Sequence, residues 1–152
     1  MPVSKLKDFL DQHRIKYLSI THSEAFTAQQ VAASAHIPGK EMAKTVIVKL
    51  GGEMAMAVLP ASYRVDLDRL VDLIGEDVTL ASEMEFKDEF PGCEVGAMPP
   101  FGHLYGMETY VAARLAEDED IAFNAGSHTE IIKLSFKDFQ RLEQPKILQF
   151  AT

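Results

Sequence analysis

Two apolar runs, KTVIVKL (44–50) and EMAMAVLP (53–60), are separated by Gly51-Gly52 alone. A two-residue connection permits only a tight reversal, and glycine accepts the positive φ that such a turn demands. The pair is therefore an antiparallel hairpin whose apolar faces must be covered by the rest of the chain. Val46, Ile47 and Val48 are β-branched and head for the interior. Lys44 at the mouth of this strand either marks where it leaves solvent or serves as the fixed cation of a binding site.

The other segments alternate between helical and strand patterns. Val3, Leu6, Phe9 and Leu10 recur at helical spacing, which predicts a helix over 3–13, followed by a strand in IKYLSI (15–20). Thr27 and Gln30 form a capping-box pattern opening a helix AQQVAASAH, closed by Pro38-Gly39. DLDRLVDLIG (66–75) reads as a helix with a glycine stop, and DVTLA as a short strand. Ser82 and Glu85 cap a helix running to Phe90. TYVAARL, IAFNAG and TEIIKL are strand candidates, and Ser135 opens a last helix, FKDFQRLE. The pattern predicts one α/β (α+β) domain over residues 1–152, a mixed, curved sheet surrounded by helices, with its closing strands in sequential order.

No run approaches the ~20 apolar residues of a membrane span, and the N-terminus MPVSKLKDFL lacks a secretory core. The lone Cys93 precludes an intrachain disulfide and fits a reducing cytoplasm. A net charge of −8 argues against a protein that coats nucleic acid but leaves room for brief contact with one end of an RNA. The densest basic group, Lys5, Lys7, His13, Arg14 and Lys16, reads as a solvated helix face. Neither a membrane nor DNA is an expected partner.

Phosphate loops, dinucleotide turns and nucleophile elbows are absent from the sequence. The histidines at 13, 22, 36, 103 and 128 show no metal-ligand spacing, so no metal and no cofactor is expected, although a His-only site built across the fold needs no local spacing. Two segments remain. GAMPPFG (96–102) holds two glycines and two prolines in seven residues, with Met98 and Phe101 between them. Such a loop is stiff and displays a few defined amides beside small apolar surfaces, which suits a small ligand or a developing oxyanion. A rigid turn between sheet elements has the same composition. NAGSHTE (124–130) places Gly126, Ser127 and His128 before a strand, where His128 is either a surface loop residue or a site residue.

Lys44 opening a hydrophobic strand, then GAMPPFG, then NAGSHTEIIKLSFKDF, preceded by THSEAFTAQQVA (21–32), resembles the YbaK / prolyl-tRNA-synthetase-associated domain family of aminoacyl-tRNA deacylases. The likeness covers nearly the whole chain, in element order and length. It implies hydrolysis in trans of the ester of a mischarged tRNA, commonly alanine or cysteine on proline tRNA, errors that a synthetase pocket cannot reject by size alone. The family's invariant lysine maps onto Lys44 and its Gly-x-x-x-Pro loop onto Gly96 to Pro100, with an extra proline at Pro99.

Under this resemblance Lys44 orients the terminal adenosine, and the Gly96–Pro100 loop supplies donors to the carbonyl oxygen. Thr45, Ala97, Met98, Phe101 and Gly126 line the substrate site, while His22 and His128 contact substrate or order water. No covalent step is implied; positioned water, assisted by the substrate's own groups, attacks the ester. GSHTE and MPP depart from the family's commoner forms and bear on which amino acid is removed. The acidic surface implies that only the acceptor end of the aminoacyl-tRNA is held, or that a synthetase or elongation factor presents it. A non-catalytic module binding an aminoacyl ester or nucleotide, and a module docking on a synthetase, are the alternatives.

Overall fold

A computed structural model describes residues 2–21 and 41–152. His22, the helix expected in AQQVAASAH and the Pro38-Gly39 turn lie outside these residues. The chain starts with α1 (Pro2–Gln12), which buries Leu6 and Leu10 completely. β1 (Tyr17–Thr21) follows.

The hairpin forms as its sequence dictates. β2 (Ala43–Leu50) and β3 (Glu53–Pro60) pair antiparallel with Leu50 opposite Glu53. Gly51 and Gly52 sit at φ 57° and 101°, the double positive φ of a type I′ turn. Asp66 caps α2 (Leu67–Ile74) by accepting from the Arg69 N–H, and Gly75 ends it at φ 83°. β4 (Val78–Leu80) lies along β2.

The capping box of Ser82 and Glu85 is complete at the start of α3 (Glu83–Phe86). This helix stops four residues before the expected Phe90, giving way to a 3₁₀ turn over Lys87–Glu89. Pro91 accounts for the difference, because a residue preceding proline is driven from the α region; Phe90 sits at φ −124°, ψ 68° and is buried.

β5 (Glu108–Ala112) runs parallel to β3, and β8 (Lys146–Leu148), a strand absent from the sequence reading, runs parallel to β5. β6 (Asp120–Asn124) and β7 (Glu130–Ser135) form an antiparallel pair, as expected, and β7 continues to β1. Ser135 caps α4 (Phe136–Glu143) through the Asp138 N–H.

The strands thus divide into β1-β7-β6 and β4-β2-β3-β5-β8, a mixed α/β arrangement in two sheets. β5 is not sequential with β6 and β7. The chain crosses between sheets through a 3₁₀ turn at Leu115–Glu117 that buries Leu115. A parallel bridge from Met42 to Ala122 ties the sheets along the edge where β2 meets β6.

Between the sheets lies a core containing Leu6, Leu10, Ile47, Met56, Phe123 and Phe139. Phe101 occupies its centre, edge-on to Phe9, Phe123 and Phe139 at 6.0, 5.7 and 5.3 Å between ring centroids. Burying an aromatic ring of this size stabilises by roughly 2–3 kcal/mol. The outer face of the larger sheet packs Val48, Leu59 and Tyr110 against Leu70 of α2 and Phe150.

Candidate active site

The two glycine-bearing segments fold into one unit. Glu94 to Ala97 make a turn in which the Ala97 N–H donates to the Glu94 carbonyl at 3.0 Å. Gly96, third in the turn, sits at φ 84°, as a type II turn requires. The positive φ favours glycine there, and a Cβ would stand in van der Waals contact with Cε1 of His128 at 3.4 Å.

Gly126 grips this turn from the far side, donating to the Ala97 carbonyl at 2.8 Å and accepting from the Glu94 N–H at 2.9 Å. His128, 5% exposed, donates from Nε2 to the Val95 carbonyl at 2.7 Å. The Glu94 carboxylate stands 4.0 Å from the same nitrogen. Because Val95 offers only an acceptor, the proton on this ring is placed at Nε2.

Within the turn the Ala97 N–H is spent, but the N–H groups of Gly96 and Met98 have no acceptor among the described residues. Ala97 and Met98 are buried, as are Pro99 and Pro100. Phe101 is wholly enclosed among aromatic rings, so it fixes the loop from behind and offers no wall to a ligand. At the loop's other end, the Gly102 N–H donates to Thr109 Oγ1 at 3.1 Å, and Thr109 donates to the Glu143 carboxylate at 2.8 Å. The same carboxylate takes the ring of His103. Burial raises the Glu143 pKa. Nothing local in the sequence marks this anchor, since Glu143 is the last residue of the helix FKDFQRLE.

Lys44 is the second residue of β2, opposite Leu59, and is half-buried. Burial, reinforced by the positive charge of Arg64, lowers its pKa. No carboxylate pairs with it among the described residues. Strand alternation puts it on the side of Val46 and Val48, while Thr45 shares the side of Ala43 and Ile47.

Cys93 is half-buried beside the Tyr105 hydroxyl at 3.8 Å, and burial raises its pKa, so the thiol is a packing group. Among the described residues no three His, Cys, Asp or Glu side chains cluster to hold a metal. A cavity of about 700 Å³ lined by Tyr63, Arg114, Gln149 and Thr152 includes none of the residues of the turn unit.

The residues brought together are Gly96, Ala97, Gly126 and His128. The model of the aminoacyl-tRNA editing domain matches residues 22–142, spanning this whole unit and Lys44. The chain belongs to the aminoacyl-tRNA editing domain family. Among curated proteins, the multifunctional Ser/Thr-tRNA deacylase ProXp-y of Escherichia coli K12 is 30% identical, with 96% of this chain and 90% of that protein covered. Its counterpart in E. coli O157:H7 matches equally.

Two solved structures share the fold. One, provisionally described as a trans-editing enzyme for prolyl tRNA synthetase, superposes with a TM-score of 0.84 at 16% identity over 99% of this chain and 97% of that one. The other, hypothetical protein APE2540, gives 0.86 at 19% identity over 97% and 99%.

Proposed function

We propose that this chain is an aminoacyl-tRNA deacylase that acts in trans, hydrolysing the ester between a wrong amino acid and the terminal adenosine of a tRNA. The observation that carries the reading is the turn at 94–97, clamped by Gly126 and His128 and leaving the Gly96 and Met98 amides to donate. Water adds to the ester carbonyl, whose oxygen becomes negative and is met by these amides. Collapse returns the C=O, expels the ribose oxygen, which takes up a proton, and releases the free amino acid. A single donor of this kind is worth ~2.7–4 kcal/mol of transition-state stabilisation. No nucleophile is required, because an aminoacyl ester is already activated.

Lys44 holds the phosphate or ribose of the terminal adenosine, its ammonium restrained by the strand that carries it. Pro100 stiffens the donor loop. Ala97, Met98, Gly126 and His128 shape the surroundings of the aminoacyl group, while His22 and Thr45, the latter on the core side of β2, are assigned to the same site by the resemblance alone. Phe101 acts through the loop's position.

The amino acid removed is small. The family resemblance implies alanine or cysteine on proline tRNA; the 30% identity to a Ser/Thr-tRNA deacylase over almost the whole chain favours seryl and threonyl esters, and we place these first. The net charge of −8 supports a reading in which a synthetase or an elongation factor presents the tRNA, in the cytoplasm where both work. The test is a panel of tRNAs mischarged with Ser, Thr, Ala, Cys and Pro, each on several tRNAs. Release of small side chains with sparing of cognate pairs is expected. Failure to hydrolyse every member overturns the proposal.

A further inference from the structure

Asn124 ends β6 and is 6% exposed, yet its side-chain oxygen has no hydrogen-bond partner among the described residues. Leaving such an acceptor buried and unsatisfied is costly, so its persistence calls for a functional role or a further partner.

The parallel bridge of Met42 to Ala122 fixes where this oxygen stands. Two residues further along each strand stand Lys44 and Asn124. In a parallel pair, residues equally far from a bridge share a face. The intervening pair confirms the alternation, since Ala43 and Phe123 both enter the core between the sheets. Asn124 and Lys44 therefore share the face turned away from the aromatic core. Two residues beyond Asn124 comes Gly126, which binds the turn carrying the donor amides. The orphaned oxygen thus shares the face of Lys44 and precedes by two residues the glycine that holds the turn.

We propose that Asn124 is a specificity-determining residue, its Oδ1 accepting a hydrogen bond from the side-chain hydroxyl of the amino acid being removed. This deepens the deacylase reading and rests on it. The donor is neutral for two reasons. An uncharged amide is a weak partner for an ammonium, which a carboxylate would hold far better. The Lys44 cation, on the same face as Asn124 and already partly stripped of water, repels a second positive charge. A hydroxyl meets both conditions, and a site built to bond a hydroxyl penalises the analogue that lacks it.

The test separates binding from hydrolysis by using the amide-linked analogues 3′-seryl-amino- and 3′-alanyl-amino-3′-deoxyadenosine, which cannot be deacylated. The wild-type chain binds the seryl analogue about tenfold more tightly. Asn124→Leu removes the oxygen at similar volume and Asn124→Ala removes the side chain, both checked for folding by thermal melting; each brings the ratio of the two Kd values close to one. Equal Kd values in the wild type, or a seryl preference that survives in the folded variants, overturns the proposal. Should the chain hydrolyse no mischarged tRNA, the deacylase reading fails by itself, and the Kd pair still decides the role of Asn124.

Discussion

The imidazole of His128 donates from Nε2 to the carbonyl oxygen of Val95 at 2.7 Å. A residue that follows one strand thereby sets the orientation of a peptide in a loop 33 positions earlier, and that peptide immediately precedes Gly96. Histidine, often assumed to work by titrating, here acts first as a strut.

Replacing this strut should separate rate from binding. His128→Leu leaves the Val95 carbonyl without its donor, at a cost in stability of about 1–3 kcal/mol. In deacylation the loss is expected in kcat with KM little changed, because a misaligned donor weakens the transition state more than the ground state. Gly96→Ala forces a Cβ into a left-handed position, at about 1–2 kcal/mol, and against the His128 ring. Both variants should lower Tm by several degrees and share the same kinetic signature.

Lys44→Met is expected to abolish deacylation while leaving Tm equal or higher at neutral pH. The sign follows from the lowered pKa of Lys44 in the folded state. Between that value and the ordinary lysine value, the unfolded chain binds more protons, so wild-type stability rises with pH across this interval. The penalty for holding the charge is fully present below the folded pKa and is gone above the unfolded one. Melting curves of both proteins from pH 7 to 11 should therefore converge as pH rises.

The far end of the loop is held by shape. A Cβ on Gly102 would overlap Thr109 Oγ1 and lie 2.6 Å from the Met107 carbonyl oxygen, so Gly102→Ala should cost about 3 kcal/mol or fail to fold. Thr109→Val keeps the volume but strands the Gly102 N–H and one bond to Glu143, and about 1–2 kcal/mol is expected from urea titration.

An acid-range prediction is independent of function. Glu85 accepts from Lys49 Nζ and from the Ser82 N–H, with the Ser82 side chain adding to the effect, which holds its pKa at about 2. The group's contribution to stability is present above the usual carboxylate value and disappears as pH falls through about 2. NMR titration should show Glu85 Cδ moving at this low pH, and Lys49→Met or Ser82→Ala should shift the transition upward.

Local chemistry was legible in the sequence wherever it closes within a few residues. Gly51-Gly52, the Gly75 stop, the Ser135 start and the Ser82–Glu85 box each carry their own instruction, and each element appears where its signal lies. Signals that need a distant partner were silent or misleading. β8 is a short segment that becomes a strand only because β5 offers it an edge, and β5 lies far from β6 because pairing partners are chosen by sheet assembly. GAMPPFG and NAGSHTE were each recognisable, yet nothing in either states that Gly126 would bind Ala97. Phe101 looked like a pocket wall because an aromatic residue in a glycine-proline loop gives no hint of which way it turns. Asn124 was passed over for a similar reason: a polar residue at a strand end is ordinary until burial removes its partners.

The two sheets meet at Met42 and Ala122, and from there β2 and β6 part company. Past that bridge, nothing of the backbone ladder dictates how far Lys44 stands from the turn on Gly126. The spacing is left to the packed rings of Phe101, Phe123 and Phe139 behind them, which fill the angle between the sheets and, being close-packed, pass on any change in their size. The position of Lys44 relative to the turn is in effect shimmed from within: trimming a methylene deep in that aromatic wedge would shift one against the other.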